Sequence, residues 1–269
     1  MEASADPVAT DLALGIDIGG TGVKAALVDL ATGELRSTRV RQDTPDPSTP
    51  MAVAETVRAV VDAISAETEI ATGVPVGCGL PGVVRGGRLY TAANIDQGWL
   101  EVSAEEVIGS AIGWRVHALN DADAAGLAEV RFGAGRGHLG TVLLLTIGTG
   151  IGSALFTRRV LVPNTELGHL EFRGTDAEKL LSGVSRERRG LKWFGWAAEF
   201  NEYVAHLDLL LSPDLIILGG GVSKSIARYG HLLESRAPIA PAQYLNTAGI
   251  VGAAMFAAEL ETATRPLPA

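Results

Sequence analysis

One arrangement in this chain constrains its fold more than any other: a strand, a glycine-crowded turn and a second strand occur twice. LALGIDI, GGTG and VKAALVD run from Leu12 to Asp29, and TVLLLTI, GTGIG and SALFTRRVLV run from Thr141 to Val162. Apolar runs bounded by turn residues mark strands, and glycine supplies the backbone freedom that tight turns demand. After the first copy, ATG and ELRSTRV complete a three-stranded meander. Each copy is followed by helical patterns. The reading is therefore a duplicated α/β domain with a cleft between the copies. A length of 269 residues agrees, since domains commonly take ~150 residues each.

The helices can be placed from their spacing. Pro50 suits a first helical position, and Val53, Val57, Val60, Val61 and Ile64 repeat on one helical face. VPVGCGL is a strand that ends in a turn at Pro81-Gly82. Ser103 followed by Glu106 is a capping-box pattern, opening a helix that reaches Ile112. WRVHALN is a short strand, and DADAAGLAEVRF is a helix starting at its end. A helix from Trp193 to Leu211, the buried-type strand DLIIL and a last helix from Asn246 to Glu261 complete the plan. Residues 1 to 11 are small and polar, as in a loose tail.

Composition excludes several functions. The formal net charge of -9 argues against general nucleic-acid binding, which rests on accumulated Lys and Arg. Cys78 is the single cysteine, so there is no intramolecular disulfide and no multi-cysteine zinc site, and a small core residue is its expected role. No apolar run approaches the ~20 residues of a membrane span, and no signal-like segment opens the chain, so a cytoplasmic location is expected.

The chemistry concentrates at a few short stretches. Asp17 ends a buried strand, and Gly19, Gly20 and Gly22 leave backbone N–H groups free to converge on a phosphate. A plain hairpin would use the same glycines. The second turn, Thr146 to Gly152, could clamp distal phosphates from the other side, and LGGGVS offers a third backbone platform. Asn120-Asp121 falls where a strand gives way to a helix, a common place for ligands in α/β sheets. A carboxylate there can accept a hydroxyl proton, but on these residues alone helix capping is the favoured explanation of Asp121. In NTELGHLEF, Glu166, His169 and Glu171 suit a polyhydroxylated ligand, with a metal site as the rival. The run SRERRGLK carries Arg186, Arg188, Arg189 and Lys192, either a solvated face or a local patch for a polyanion.

Taken in order, DIGGT, GLPG, LND, GTGIG, TELGH and LGGGVS resemble the ROK family, whose name covers repressors, open reading frames and kinases. The resemblance spans Leu12 to Glu261. PNTELGHLE and NTAGIVGAAM are most similar to the family's inorganic polyphosphate glucokinases and polyphosphate/ATP glucomannokinases. It implies an actin-like, ribonuclease H-like fold with domains over residues 11–122 and 123–269, the last helix packing back on the first domain. It also implies transfer of phosphate from polyphosphate or ATP to the 6-hydroxyl of glucose or mannose, with Mg²⁺. Asp121 would be the general base, and Gly82, Asn94, Asn120, Glu166, His169 and Glu178 the sugar site, Glu178 through the resemblance of AEKLLSG. The phosphate-binding set would be Asp17, Gly19, Gly20, Thr21, Gly22 and Lys24 on the first turn and Thr146, Gly148, Thr149 and Gly150 on the second. Gly219, Gly220 and Gly221 would complete it, with Asp17 reaching Mg²⁺ through water. The family's cysteine-rich zinc motif is missing, so no structural zinc is expected. A monomer and a homodimer are both compatible. An ATP-only hexokinase for another hexose and a sugar-sensing repressor are the alternatives. The repressor branch needs a helix-turn-helix, and about ten residues before Leu12 are too few for one.

Overall fold

Alternating apolar residues turn the two opening segments into matching hairpins. β1 (Leu12–Gly19) pairs antiparallel with β2 (Gly22–Asp29), from Leu12 opposite Asp29 to Gly19 opposite Gly22. The chain is described by a computed structural model over residues 11–264, so residues 1–10 of the expected tail lie outside the described residues. β3 (Val40–Gln42) extends the hairpin, and β4 (Val76–Leu80) and β7 (His117–Asn120) add in parallel, giving the order β3-β2-β1-β4-β7. Between them lies a separate two-stranded hairpin, β5 (Val84–Arg85) and β6 (Arg88–Leu89).

The second sheet repeats this plan. β8 (Thr141–Ile147) pairs antiparallel with β9 (Ile151–Thr157), which pairs with β10 (Val160–Val162). After the small hairpin β11 (Glu171–Phe172) and β12 (Thr175–Asp176), β13 (Leu215–Gly219) and β14 (Ile239–Pro241) add in parallel. The order β10-β9-β8-β13-β14 matches the first sheet position for position.

Two expected strands differ. The meander's third strand is not ELRSTRV: only Leu35 bridges Val28, and the paired segment starts at Val40. SALFTRRVLV is not one strand but the hairpin β9-β10, because Arg158 and Arg159 both adopt left-handed φ values of 50° and 67°. Arginine carries no turn signature, so the reversal is invisible in the letters.

Helices fill the space between and outside the sheets. α1 (Pro50–Glu67), capped by the Thr49 hydroxyl, covers one face of the first sheet with α2 (Ala104–Ile112). Ser103 caps α2 by accepting from the Glu106 N–H, the first half of the anticipated box. On the other face, α3 (Asp121–Arg131) and α9 (Ala248–Thr264) lie between the two sheets, sharing one core with Val142, Leu144, Ala154 and Phe156. The outer face of the second sheet is closed by α6 (Trp193–Leu211) and by α4 (Ala177–Leu181), which leads into α5 (Gly183–Arg188). α7 (Gly220–Ser223) and α8 (Ile226–Tyr229) follow β13. Layers thus alternate helix, sheet, helix, sheet, helix. Cys78 is fully buried in the first core, the role expected for it.

α9 approaches its neighbours unusually closely. Side-chain atoms on Gly15 or Gly77 would collide with the carbonyl oxygens of Ile250 and Ala253, and one on Gly252 would collide with that of Ala124. Glycine at these three points lets the α9 backbone rest directly on β1, β4 and α3. Among the described residues no helix is long and apolar enough to cross a membrane.

Candidate active site

The ends of β1, β7 and β8 bring their polar residues to one cleft of about 320 Å³ between the sheets, within the range of small-molecule sites. Gly20 and Thr21 of the first turn line one side, and Thr146, Gly148, Thr149 and Gly150 of the second line the other. The carbonyls of the first turn are held from outside: Arg41 donates to that of Thr21 (2.9 Å) and Thr44 to that of Gly19 (2.6 Å). The second turn is held from inside. Glu178 accepts from the Ile151 N–H at 3.1 Å, placing its carboxylate against Gly150.

Asp17, Gly19, Gly22 and Lys24, expected on the same turn, do not line the cleft. Asp17 and Lys24 face one another across β1 and β2 as an ion pair of 2.8 Å. Of the third platform, Gly220 reaches the cleft wall, at φ +73° and against the Ile147 backbone, whereas Gly219 and Gly221 do not line it.

At the cleft floor the alternative explanation of Asp121 is removed. Asn120 is the N-cap of α3, its side-chain oxygen accepting from the Asp123 N–H at 3.0 Å, and Asp121 is the first helical residue. The capping requirement is met by its neighbour, and Asp121 itself lines the cleft. Close packing of protein atoms, the nearby Asp17 charge and, less strongly, Glu166 and Asp123 push its pKa up to about 7, against the pull of the Ala122 N–H.

The polar wall is built from far-apart segments. The Asn120 amide donates to the Gly82 carbonyl (3.0 Å) and to Glu166 (3.3 Å). Burial raises the pKa of Glu166, opposed by His169 beside it at 4.0 Å and reinforced by the Glu178 charge. Gly82, Asn94, Asn120, Asp121, Glu166, His169 and Glu178 all line the one cleft. Glu171 does not: it is exposed on β11, and His169 turns its other nitrogen to Asp176 at 3.4 Å. Among the described residues no three His, Cys, Asp or Glu side chains converge to hold a metal ion, so the rival metal reading finds no cluster.

Sequence reasoning missed Thr91, Ala93 and Pro81, which also line the cleft. The Thr91 hydroxyl accepts from the Val83 N–H at 2.9 Å and fixes the loop around Gly82. Its position three residues before Asn94 was the available signal.

The basic run points elsewhere. Arg186 stacks over Trp193 at 4.1 Å and donates to the Leu191 carbonyl, and Arg188 donates to that of Lys179. Arg189 grips Glu199 with both nitrogens at 2.7 and 2.8 Å. Arg186, Arg188 and Arg189 thus each bond to other groups of the protein, but Arg188 and Arg189 stay exposed, as does Lys192.

Comparisons with known proteins bear on the fold and the family. Residues 13–178 match the model of the ROK family. Polyphosphate glucokinase of Mycobacterium tuberculosis is 46% identical over 242 residues, covering 90% of this chain and 89% of its own length. The inorganic polyphosphate/ATP-glucomannokinase from Arthrobacter sp. strain KM superposes with a TM-score of 0.89 at 49% identity, covering 93% of this chain and 99% of that one. A ROK family glucokinase from Streptomyces griseus, solved with glucose and AMPPNP, gives 0.76 at 26% identity, with 92% and 99% covered. Two mixed sheets of one plan, a cleft walled by two glycine turns, and likeness along nine-tenths of its length together establish that this chain belongs to the ROK family.

Proposed function

We propose that this chain transfers a phosphoryl group from inorganic polyphosphate or ATP to the 6-hydroxyl of glucose, and of mannose beside it, with Asp121 as general base. The observation that carries the reading is a carboxyl freed from capping, lying between two glycine turns, with a pKa near neutrality. The names of the similar proteins supply the acceptor and donor classes.

Asn120, Glu166 and His169, with Asn94, Gly82 and Glu178 around them, offer the mixture of donors and acceptors that sugar hydroxyls require. The bond from the sugar oxygen to phosphorus forms as the bond from phosphorus to the donor's bridging oxygen breaks, and the hydroxyl proton passes to Asp121. Phosphoryl transfer depends chiefly on alignment and charge stabilisation, which backbone N–H groups of the two turns suit. Residues 11–122, with α9 packed back on them, and the rest of the second half serve as two domains that close on the sugar and keep water from the donor.

The residues fit Mg²⁺. Asp17 and Asp121 are near enough that the charge of the first raises the pKa of the second, and both offer hard oxygen donors. Mg²⁺ characteristically takes one or two carboxylates plus substrate phosphates and water rather than a protein cage. Asp17 would hold it through water, and the ion would supply neutralisation of phosphate charge.

A coupled assay of sugar 6-phosphate formation tests the reading, with glucose or mannose against ATP or polyphosphate. Turnover with polyphosphate and glucose is expected. ATP-only turnover would remove the polyphosphate assignment, and no turnover with any pair would remove the kinase. Arg189→Ala should lower thermal stability by about 1 kcal/mol, the order for a partly exposed bidentate pair. It should leave the ratio of KM for polyphosphate and ATP unchanged, because the guanidinium is spent on Glu199.

A further inference from the structure

Asn164 stands two residues before Glu166 in the same loop, and its bonds form a bridge behind the cleft. Its side-chain oxygen accepts from the Val84 N–H at 2.8 Å and its amide nitrogen donates to the Val84 carbonyl at 2.9 Å. The side chain thus pairs with Val84 as a neighbouring strand would, 80 residues away in sequence, on a hairpin that belongs to neither five-stranded sheet. The backbone N–H of Asn164 donates to the buried Asp123 carboxylate in the first turn of α3 at 2.7 Å.

These bonds close a circuit. Val84 follows Gly82, Asn164 precedes Glu166, and Asp123 follows Asn120. On the cleft side, Asn120 joins Gly82 to Glu166. Behind it, Asn164 joins Val84 to Asp123, and none of these three lines the cleft. The same three segments are therefore held twice, once by a group facing the ligand and once by a group shielded from it.

We propose that Asn164 is a positioning residue that sets the separation of Gly82, Asn120 and Glu166, and so the fit of the hexose. The inference rests on the kinase reading. Two independent demands select asparagine. Its φ of 59° is left-handed, where asparagine and glycine are favoured, and its amide alone at this length offers one donor and one acceptor to the same peptide.

Two variants separate these demands. Asn164→Gly keeps the backbone conformation and removes the amide, and Asn164→Asp keeps the acceptor and removes the donor. Glucose binding is measured by calorimetry, with KM for glucose, ATP and polyphosphate, kcat and Tm on the full chain. Asn164→Gly should weaken glucose binding and raise its KM about tenfold, the order expected for one or two neutral hydrogen bonds. kcat and both donor KM values should stay near wild type. Asn164→Asp should bind glucose poorly at about pH 8 and recover relative to wild type toward about pH 5, where a protonated carboxyl can again donate to the Val84 carbonyl. Unchanged glucose affinity in Asn164→Gly would overturn the proposal. A fall in kcat and Tm with glucose KM unmoved would also overturn it, in favour of a general structural role. A wild type that binds no glucose would remove the kinase reading and this inference together, an outcome visible before any variant is made.

Discussion

Asp121→Asn should reduce turnover ~10²–10⁴-fold, the usual contribution of a general base, with ATP and polyphosphate falling together. Both donors suffer because the proton leaves the sugar, whichever phosphate is attacked. Asparagine keeps the size of the carboxyl, so glucose should bind within about tenfold of wild type, a difference of ~1.4 kcal/mol. For the wild type, kcat/KM should fall as pH drops through about 7, where Asp121 takes up a proton. Stability should move the other way. The folded pKa lies above the ordinary 3.8, so the stabilisation present below that value is lost as pH rises to about 7, and ionised Asp121 then costs stability. Asp121→Asn removes that cost and should be at least as stable as wild type at about pH 8. Near-normal turnover would exclude Asp121 as base and move the search to Glu166 and Glu178.

Gly252→Val should leave little or no folded protein. The side chain would meet the Ala124 carbonyl, a backbone atom of α3 that no rotamer change can move aside. Overpacking costs typically ~1–3 kcal/mol and more where backbone must shift, against a total stability of ~5–15 kcal/mol. The loss should appear as insoluble protein or as a low unfolding midpoint by circular dichroism. Gly195→Ala is the matched control: it lies in α6 with only a Leu191 methyl nearby at 3.7 Å, and should add ~0.4–1 kcal/mol. Equal tolerance of both changes would mean that α9 and α3 can separate without loss.

Long periodic elements were legible in the letters. α6 spans Trp193–Leu211 as its spacing predicts, and the two glycine turns sit where the strands end. β3 and β10 were not legible, because three residues at a sheet edge are too few to show alternation and their burial is mixed. The junction at Asn120-Asp121 could be located, but which residue caps α3 depends on a side-chain oxygen reaching the Asp123 N–H. Convergence of Gly82, Asn94 and Glu166 entered only through family resemblance. Their contacts span tens of residues, and no local pattern records such a distance. The partners of the basic run were hidden for the same reason, since Trp193 beneath Arg186 and Glu199 beside Arg189 lie a turn or more further along the chain.

The placement of α9 has a consequence for how the molecule is made. Its residues cover β1 and β4, yet they are translated after both sheets have been completed. From the end of β4 to the start of α9 the ribosome adds roughly 170 residues, about 10–30 s at ~5–20 residues per second. Throughout that interval the part of the first sheet that α9 covers lies bare beside α3, so the first half cannot finish folding ahead of the second. Emergence of α9 from the ribosome is then the event that commits both halves at once, and chaperone binding to nascent chains should persist until that point.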